Sequence, residues 1–581
     1  MRPPHPLPRR PERPEARAQL PSTPPITVAP ALQLELGTLL LAGLVAGGAA
    51  LRLAALGATG LTVREAGQAF AAWVVAQGAH PPQWAGDATS VLTSFLFRLG
   101  ADGDAWARLV SALAGAALVP TVYLVARGGG RAVALLATLL AAFSPLAVAA
   151  SRTALPGSLG GLLAALLAAA LLAHWQRPRP LTLWAAALLA ALCLGSDAVG
   201  LTGLLGCALF LAVAAWAEDP RWPPVRASLR RWPVAMALGL AMGLVVSVLH
   251  LGDGPSSALA GPRLWSDLFA LPGDRSPLLT VLSLLAYDWP LTFLGLGGAA
   301  LLLRRAWAAR SVDSLAPWEL LSLCWLAPGL LVALASGHAH EGALLAVALP
   351  LALLGAAALA WGLSALPWSE VGRSWPAAVL VVACLGSLGL LWTLWARPFG
   401  QVSAAEAWGA WLAAVSLMWG LWLSWRWWGM ATAAAAALAL APLALGFWPH
   451  TIWAVGFHQG AEPLLGARFT VGREQIERLL PQLPAPAAPL AVSLGVAEVL
   501  GWHLRHLPLV AGDPPQRSAV YLTEAASAAP RGFSPSGSPL TVARDWRWHR
   551  DDGRRFWRWL ILREPYGSVL EFRVQTMVRT Q

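Results

Sequence analysis

The chain contains no lysine: all 41 of its basic residues are arginine, in a sequence of 581 residues. Alanine, glycine and proline are abundant, so the missing lysine reflects the bias of a GC-rich genome and not a function. Charge of either sign is scarce as well. Asp, Glu, Lys and Arg together make up 12% of the residues, against roughly 25% in soluble domains, and a soluble globular protein is excluded. There are four cysteines, Cys193, Cys207, Cys324 and Cys384, all within apolar runs and without metal-ligand spacing. They read as small packing residues and carry no information about redox compartment. Low-complexity tracts are absent apart from alanine-rich spans.

What is present is apolar. Hydrophobic residues reach 57%, and runs of ~20 such residues are membrane spans. They fall near 36–56, 106–126, 132–150, 158–174, 181–195, 199–216, 233–251, 278–303, 317–336, 343–364, 376–395, 406–424 and 429–448. The expected fold class is a polytopic α-helical membrane protein of about 13 spans. Residues 1–30, rich in Pro and Arg, are expected to be a disordered tail. The first apolar run starts late and lacks a small-residue cleavage pattern, so this tail is not read as a standard signal peptide.

The net charge of +11 does not point to nucleic acid, because the arginines sit in short loops between spans. The N-terminal tail and every second loop are rich in them: Arg127 and Arg131, Arg177 and Arg179, Arg226 to Arg231, Arg304 to Arg310. By the positive-inside rule that side is the cytoplasm, which puts the 57–105 loop and the C-terminal end outside. The protein is expected in the plasma membrane, in contact with membrane lipid and with no nucleic-acid partner.

After Trp448 charges and turn signals return. A proline-rich link, Pro481 to Pro489, leads to strand-like Leu490-Ala-Val-Ser-Leu, a mixed segment Val496–Leu507, Ala519-Val-Tyr-Leu and the alternating Ser568-Val-Leu-Glu-Phe-Arg-Val. Residues 449–581 read as a small α/β outer domain, following a membrane domain over 31–448.

The polar features of the outer side are few. Arg64-Glu65 opens an amphipathic segment in the first loop, Ser151-Arg152 follows the third span, Ser196-Asp197 the fifth, and Gly337-His338-Ala339-His340-Glu341 joins the ninth and tenth. His338, His340 and Glu341 look like a metal cluster, yet no further partner has a telling spacing, and a hydrated turn is favoured. Most tryptophans fall near span ends, as an aromatic belt does. Trp546-Arg-Trp-His-Arg550 suits docking on lipid headgroups or domain packing.

Four motifs together resemble the GT-C membrane glycosyltransferases, the superfamily related to protein O-mannosyltransferases. They are Arg64-Glu65-Ala66 in the first loop, Phe143-Ser-Pro145 before Ser151-Arg152, Trp502-His-Leu-Arg505, and Arg563-Glu-Pro565 near the end. The order and spacing are similar to the "flippase activity-associated" branch. The resemblance implies a glycosyltransferase using a polyprenyl-phosphate-linked sugar on the outer face, with a catalytic acid at Glu65. Arg64, Arg152, Asp197, His338, His340 and Glu341 become the candidate substrate-binding residues. Glu65 would deprotonate the acceptor or, with Asp197, hold a divalent cation; its bland reading is a wet pair with Arg64. Arg152 would clamp a donor phosphate or snorkel at a helix end. Asp197 would bind metal or cap the next helix. The chain departs from the family where an aspartate is replaced by Arg64, where an expected acid falls on Leu155-Pro-Gly157, and where Lys-Glu becomes Ser196-Asp197. A chain stripped of those acids could instead bind or help translocate a lipid-linked sugar, or act as an assembly partner.

Overall fold

A computed structural model describes residues 35–79, 87–217, 222–249, 260–270, 277–335 and 341–365 of the helical part. Beyond these it describes Trp448, 451–452, 454–457, 468–470, 473–476, 490–512, 520–527, 529–546 and 569–579. The first loop is not irregular. After α1 (Leu36–Leu53) it folds into α2 (Val63–Ala76) and α3 (Ala88–Arg98), and α4 (Asp104–Ala126) then returns through the membrane. The chain continues as α5 (Arg131–Phe143), α6 (Pro145–Ser151), α7 (Ser158–Gln176), α8 (Pro180–Leu194) and α9 (Ala198–Trp216). Next come α10 (Trp222–Arg231), α11 (Pro233–Leu249), α12 (Ala260–Ala270), α13 (Pro277–Ala309), α14 (Pro317–Ala335) and α15 (Glu341–Ala365).

Among the described residues 7 helices are long and apolar enough to cross a membrane, or 9 if two bent pairs each count as one span. The chain is a multi-pass membrane protein. The spans expected at 376–395, 406–424 and 429–448 lie outside the described residues, Trp448 excepted. Lipid tails are as apolar as leucine, so helix association in a membrane rests on close packing and on small residues at the contact. The bundle follows this rule. A side chain at Gly298 of α13 would put its Cβ 2.0 Å from the Leu354 carbonyl of α15, and one at Gly206 of α9 would meet the Trp325 backbone of α14 at 2.6 Å. Cys193, Cys207 and Cys324 are buried in this core, as packing residues should be. Trp216 and Trp307, near the ends of α9 and α13, are more than four-fifths exposed, whereas Trp325 is buried at mid-helix.

Three breaks fall among the described spans, one of them a bend of 79° where α10 meets α11 at Pro233. Proline lacks the N–H that a helix needs, and α5 and α6 meet at Ser144-Pro145 with a bend of 58°. Within α13 the break falls at Asp288, whose φ of −151° leaves the helix two residues before Pro290.

The C-terminal part is a sheet with one crossover helix. Its strands are β1 (Arg468–Phe469), β2 (Leu490–Val492), β3 (Leu509–Ala511), β4 (Val520–Glu524), β5 (Phe533–Pro535), β6 (Leu540–Trp546) and β7 (Val569–Arg579). The order is β1-β6-β7-β4-β2-β3, with β5 also on β7. β2 is parallel to β3 and β4, and the other pairs are antiparallel. Parallel neighbours need a crossover, supplied between β2 and β3 by α16 (Leu494–Leu504). Ser493 caps α16, its hydroxyl accepting from the Val496 amide. Val496, Leu500, Leu522, Val542 and Val574 form the apolar centre.

α16 fastens this domain to the helical part. Its Gly501 lies against the Phe70 ring of α2 so closely that a Cβ would come within 2.5 Å of it. Trp502 Nε1 donates to Asp104 at 2.9 Å, and Arg505 reaches Asp102 at 2.5 Å while stacking over the Trp502 ring. The Trp-His-Leu-Arg motif is therefore a docking element: its Trp and Arg hold the turn that starts α4.

Candidate functional site

Thr62 and Glu65 close a capping box at the start of α2. The Thr62 hydroxyl accepts from the Glu65 amide at 3.3 Å, and the Glu65 carboxylate accepts from the Thr62 amide at 2.8 Å. This reciprocal pair satisfies two orphan helix donors and turns the Glu65 side chain inward. It does not form the wet pair with Arg64. Instead it meets Arg108 of α4 in a two-pronged contact, Nε to Oε1 at 2.7 Å and Nη2 to Oε2 at 2.8 Å. The Ala154 amide adds a further donor at 3.0 Å. Both partners are buried. Burial by itself would raise the Glu65 carboxyl. The Arg108 charge and hydrogen bonds, with the Thr62 and Ala154 amides, outweigh it and hold Glu65 below the usual carboxylate range.

Arg108 is fully engaged. Its Nη1 donates to the carbonyls of Leu56 and Thr59 and to the Thr59 hydroxyl, and its Nη2 also reaches the Gly60 carbonyl. The 56–60 loop is thus wrapped around one guanidinium. Arg152 does the same for the end of α1. It donates to the Leu51, Ala54 and Gly456 carbonyls at 2.7 to 3.0 Å, and its guanidinium lies 3.9 Å from the Phe457 ring centre. Carbonyls at a helix C-terminus have no partner in their own helix, and Arg152 supplies it.

A second acidic group sits one turn along α2. Gln68 donates to Asp87, the N-cap of α3, whose carboxylate also accepts from the Ser90 amide and hydroxyl. Burial raises the Asp87 carboxyl. Asp197 caps α9, accepting from the Val199 and Gly200 amides at 2.9 Å, and from the Gly160 amide of α7 at 3.2 Å. Burial pushes it up to about 6, and the nearby charge of Asp87 adds to the rise. The capping reading of Asp197 is thus the one observed.

α2 therefore links two clusters, Glu65–Arg108–Ala154 beside Arg152 and Gln68–Asp87 toward Asp197. Arg64 is exposed on the first turn of α2, and among the described residues it pairs with no carboxylate. Glu341 opens α15, while His338 and His340 lie outside the described residues, as do Arg563-Glu-Pro565. A divalent cation at Glu65 and Asp197 does not fit this donor set. Glu65 is committed to Arg108 and two amides, Asp197 to three amides, and among the described residues no three His, Cys, Asp or Glu side chains converge.

No family model matches the sequence, and no curated protein matches it either. Solved structures do. ArnT from Cupriavidus metallidurans bound to undecaprenyl phosphate superposes over 92% of this chain and 97% of its own, with a TM-score of 0.53 at 16% identity. The apo state of the same enzyme covers 93% and 98%, with a TM-score of 0.51 at 17% identity. The chain has the GT-C fold. At this coverage the match takes in both the helical part and the C-terminal sheet. An oligosaccharyltransferase from Archaeoglobus fulgidus, crystallised with zinc and sulfate, is more distant, with a TM-score of 0.45 at 11% identity, and carries no weight here.

Proposed function

We propose that this chain is a membrane glycosyltransferase that takes a sugar from a polyprenyl-phosphate donor on the outer face of the cytoplasmic membrane. In this reading the N-terminus is cytoplasmic, and the C-terminal domain, from about residue 449, lies outside over the first loop. The observation that carries it is the extent of the shared fold: 92% of this chain lies on ArnT determined with undecaprenyl phosphate. In the reaction an acceptor oxygen attacks the anomeric carbon and the carbon–oxygen bond to phosphate breaks. The polyprenyl phosphate leaves with the bonding electrons, and the acceptor proton passes to a base.

In this reading the acids take roles other than those the resemblance implies. Glu65, clasped by Arg108, is assigned to holding the first loop. Asp197 is assigned as the base: Oδ1 takes the two capping amides, whereas Oδ2 accepts only the Gly160 amide and keeps a lone pair for the acceptor proton, and burial raises the carboxyl to about 6. Arg64, exposed beside the site, is assigned to the donor phosphate. Arg152 shapes the floor beneath it.

A second reading has its own support. Glu65, Asp87 and Asp197 are all buried and all hydrogen-bonded within the chain, which suits a protein that binds or helps translocate a lipid-linked sugar without transfer. The experiment that separates the two is to supply purified protein with polyprenyl-phosphate sugars and look for transfer. Donor binding with transfer lost in Asp197→Asn supports the enzyme. Donor binding without transfer in the wild type supports the second reading.

A further inference from the structure

An acid inside a membrane protein is costly and marks function unless its partners explain it. Asp288 is such an acid: it lies within a span, fully buried, and belongs to neither cluster of the site. Its surroundings are specific. Oδ2 accepts from the Ser144 hydroxyl at 2.5 Å, and Oδ1 accepts from Trp448 Nε1 at 2.9 Å. The backbone amides of Leu146 and Leu291 also face this carboxylate. Those amides open the two half-helices that follow the breaks, α6 after Ser144-Pro145 and the second part of α13 after Asp288 itself. Ser144 is bonded on both sides, since its hydroxyl also accepts from the Ala147 amide at 3.2 Å.

We propose that Asp288 is a positioning residue: its carboxylate ties the break in α13 to the break at Ser144-Pro145 and so fixes α6 under the candidate site. This gives the Phe-Ser-Pro motif a job. Proline at 145 frees the backbone, Ser144 and Leu146 offer the freed donors, and Asp288 collects them. The consequence travels along one short helix. The far end of α6 carries Ser151, which accepts from buried Arg52 at 3.3 Å, then Arg152, which holds the end of α1, and then the Ala154 amide, which meets Glu65. A shift of α6 would move all three anchors of the first loop together. The relevance to a lipid-phosphate donor rests on the function proposed above, whereas the mechanical link does not.

A carboxylate can accept all four donors, whereas an amide has one accepting oxygen and would point its own N–H groups at the rest. Asp288→Asn is therefore the informative change, with Ser144→Ala as the milder variant should the first not fold. Hydrogen exchange on the full-length protein in detergent reads the link directly. The expected result is faster exchange in 144–157 and 288–293 together, with α4 and α16 exchanging as in the wild type. Undecaprenyl phosphate should then bind about tenfold more weakly. Wild-type protection of 144–157 in both variants would overturn the proposal, and so would uniform acceleration of every segment, which is the mark of a merely structural residue. If the wild type itself fails to bind undecaprenyl phosphate, the proposed function falls, and the exchange result still decides the role of Asp288.

Discussion

Glu65 and Arg108 face each other across 43 residues of sequence, with both guanidinium prongs on both carboxylate oxygens at 2.7 and 2.8 Å. The contact ties the first loop to a transmembrane helix. Its other donors and acceptors are also filled, by Thr62, Ala154 and the 56–60 carbonyls. A pair so completely bonded is a clasp.

Removing one half of a buried pair leaves an uncompensated charge and typically costs about 3–5 kcal/mol. Arg108→Met should therefore destabilise the protein strongly, and Glu65→Gln somewhat less, since the amide keeps part of the capping box. The double variant Arg108→Met with Glu65→Gln should be less damaged than the sum of the two. Thermal unfolding in detergent, arranged as a double-mutant cycle, checks this. Additive losses would mean that the two side chains are not coupled.

The two acids predict different pH behaviour. Glu65 lies below its unfolded value of 4.5, so the stability it contributes is complete above about 4.5 and is lost only as the pH falls further. Asp197 is raised to about 6 from 3.8, so its charged form carries a penalty that is relieved on acidification. As a base it must be deprotonated. Transfer should then fall on the acid side with a midpoint near 6 while the fold stays intact. An acid limb below 4.5 would return the role of base to Glu65.

Much of this was legible in the sequence. The apolar run lengths placed the described spans, and the strand-like segments after residue 489 correspond to β2, β4 and β7. Thr62-x-x-Glu65 carries the capping-box spacing in plain view, which marks Glu65 as a helix-start residue before any chemistry is considered. Arg108 was missed, although a charge inside an apolar run signals a buried partner. What could not be read was the partner's identity, because spacing along the chain does not say which loop folds against which span. Asp87 was hidden for the same reason. Its carboxylate accepts from Gln68 of another helix, and its charge acts on Asp197, both of them long-range relationships.

The C-terminal domain should respond to its docking pair. Asp102→Ala removes an exposed partner of Arg505 and should cost under about 1 kcal/mol. Asp104→Ala leaves buried Trp502 Nε1 without its acceptor and should cost about 1–3 kcal/mol. His503, depressed to about 3 by burial and by the charges of Arg473 and Arg505, stays neutral in the folded domain. An unfolded histidine takes up a proton near 6.5, so domain stability should decline as pH falls from 6.5 toward 3. Limited proteolysis of this domain at pH 8 and pH 5 measures it, and equal rates would contradict the assignment.

Transfer from a polyprenyl-phosphate sugar is measured directly with purified full-length protein, a radiolabelled donor of this class and envelope membranes as acceptor. A transferase should move label to an acceptor with release of polyprenyl phosphate. Asp197→Asn should abolish transfer with donor binding kept, and Arg64→Ala should weaken donor binding first. Firm donor binding by the wild type with no label transferred at any pH between 5 and 8 would contradict the transferase reading and leave a lipid-linked-sugar binding protein in its place.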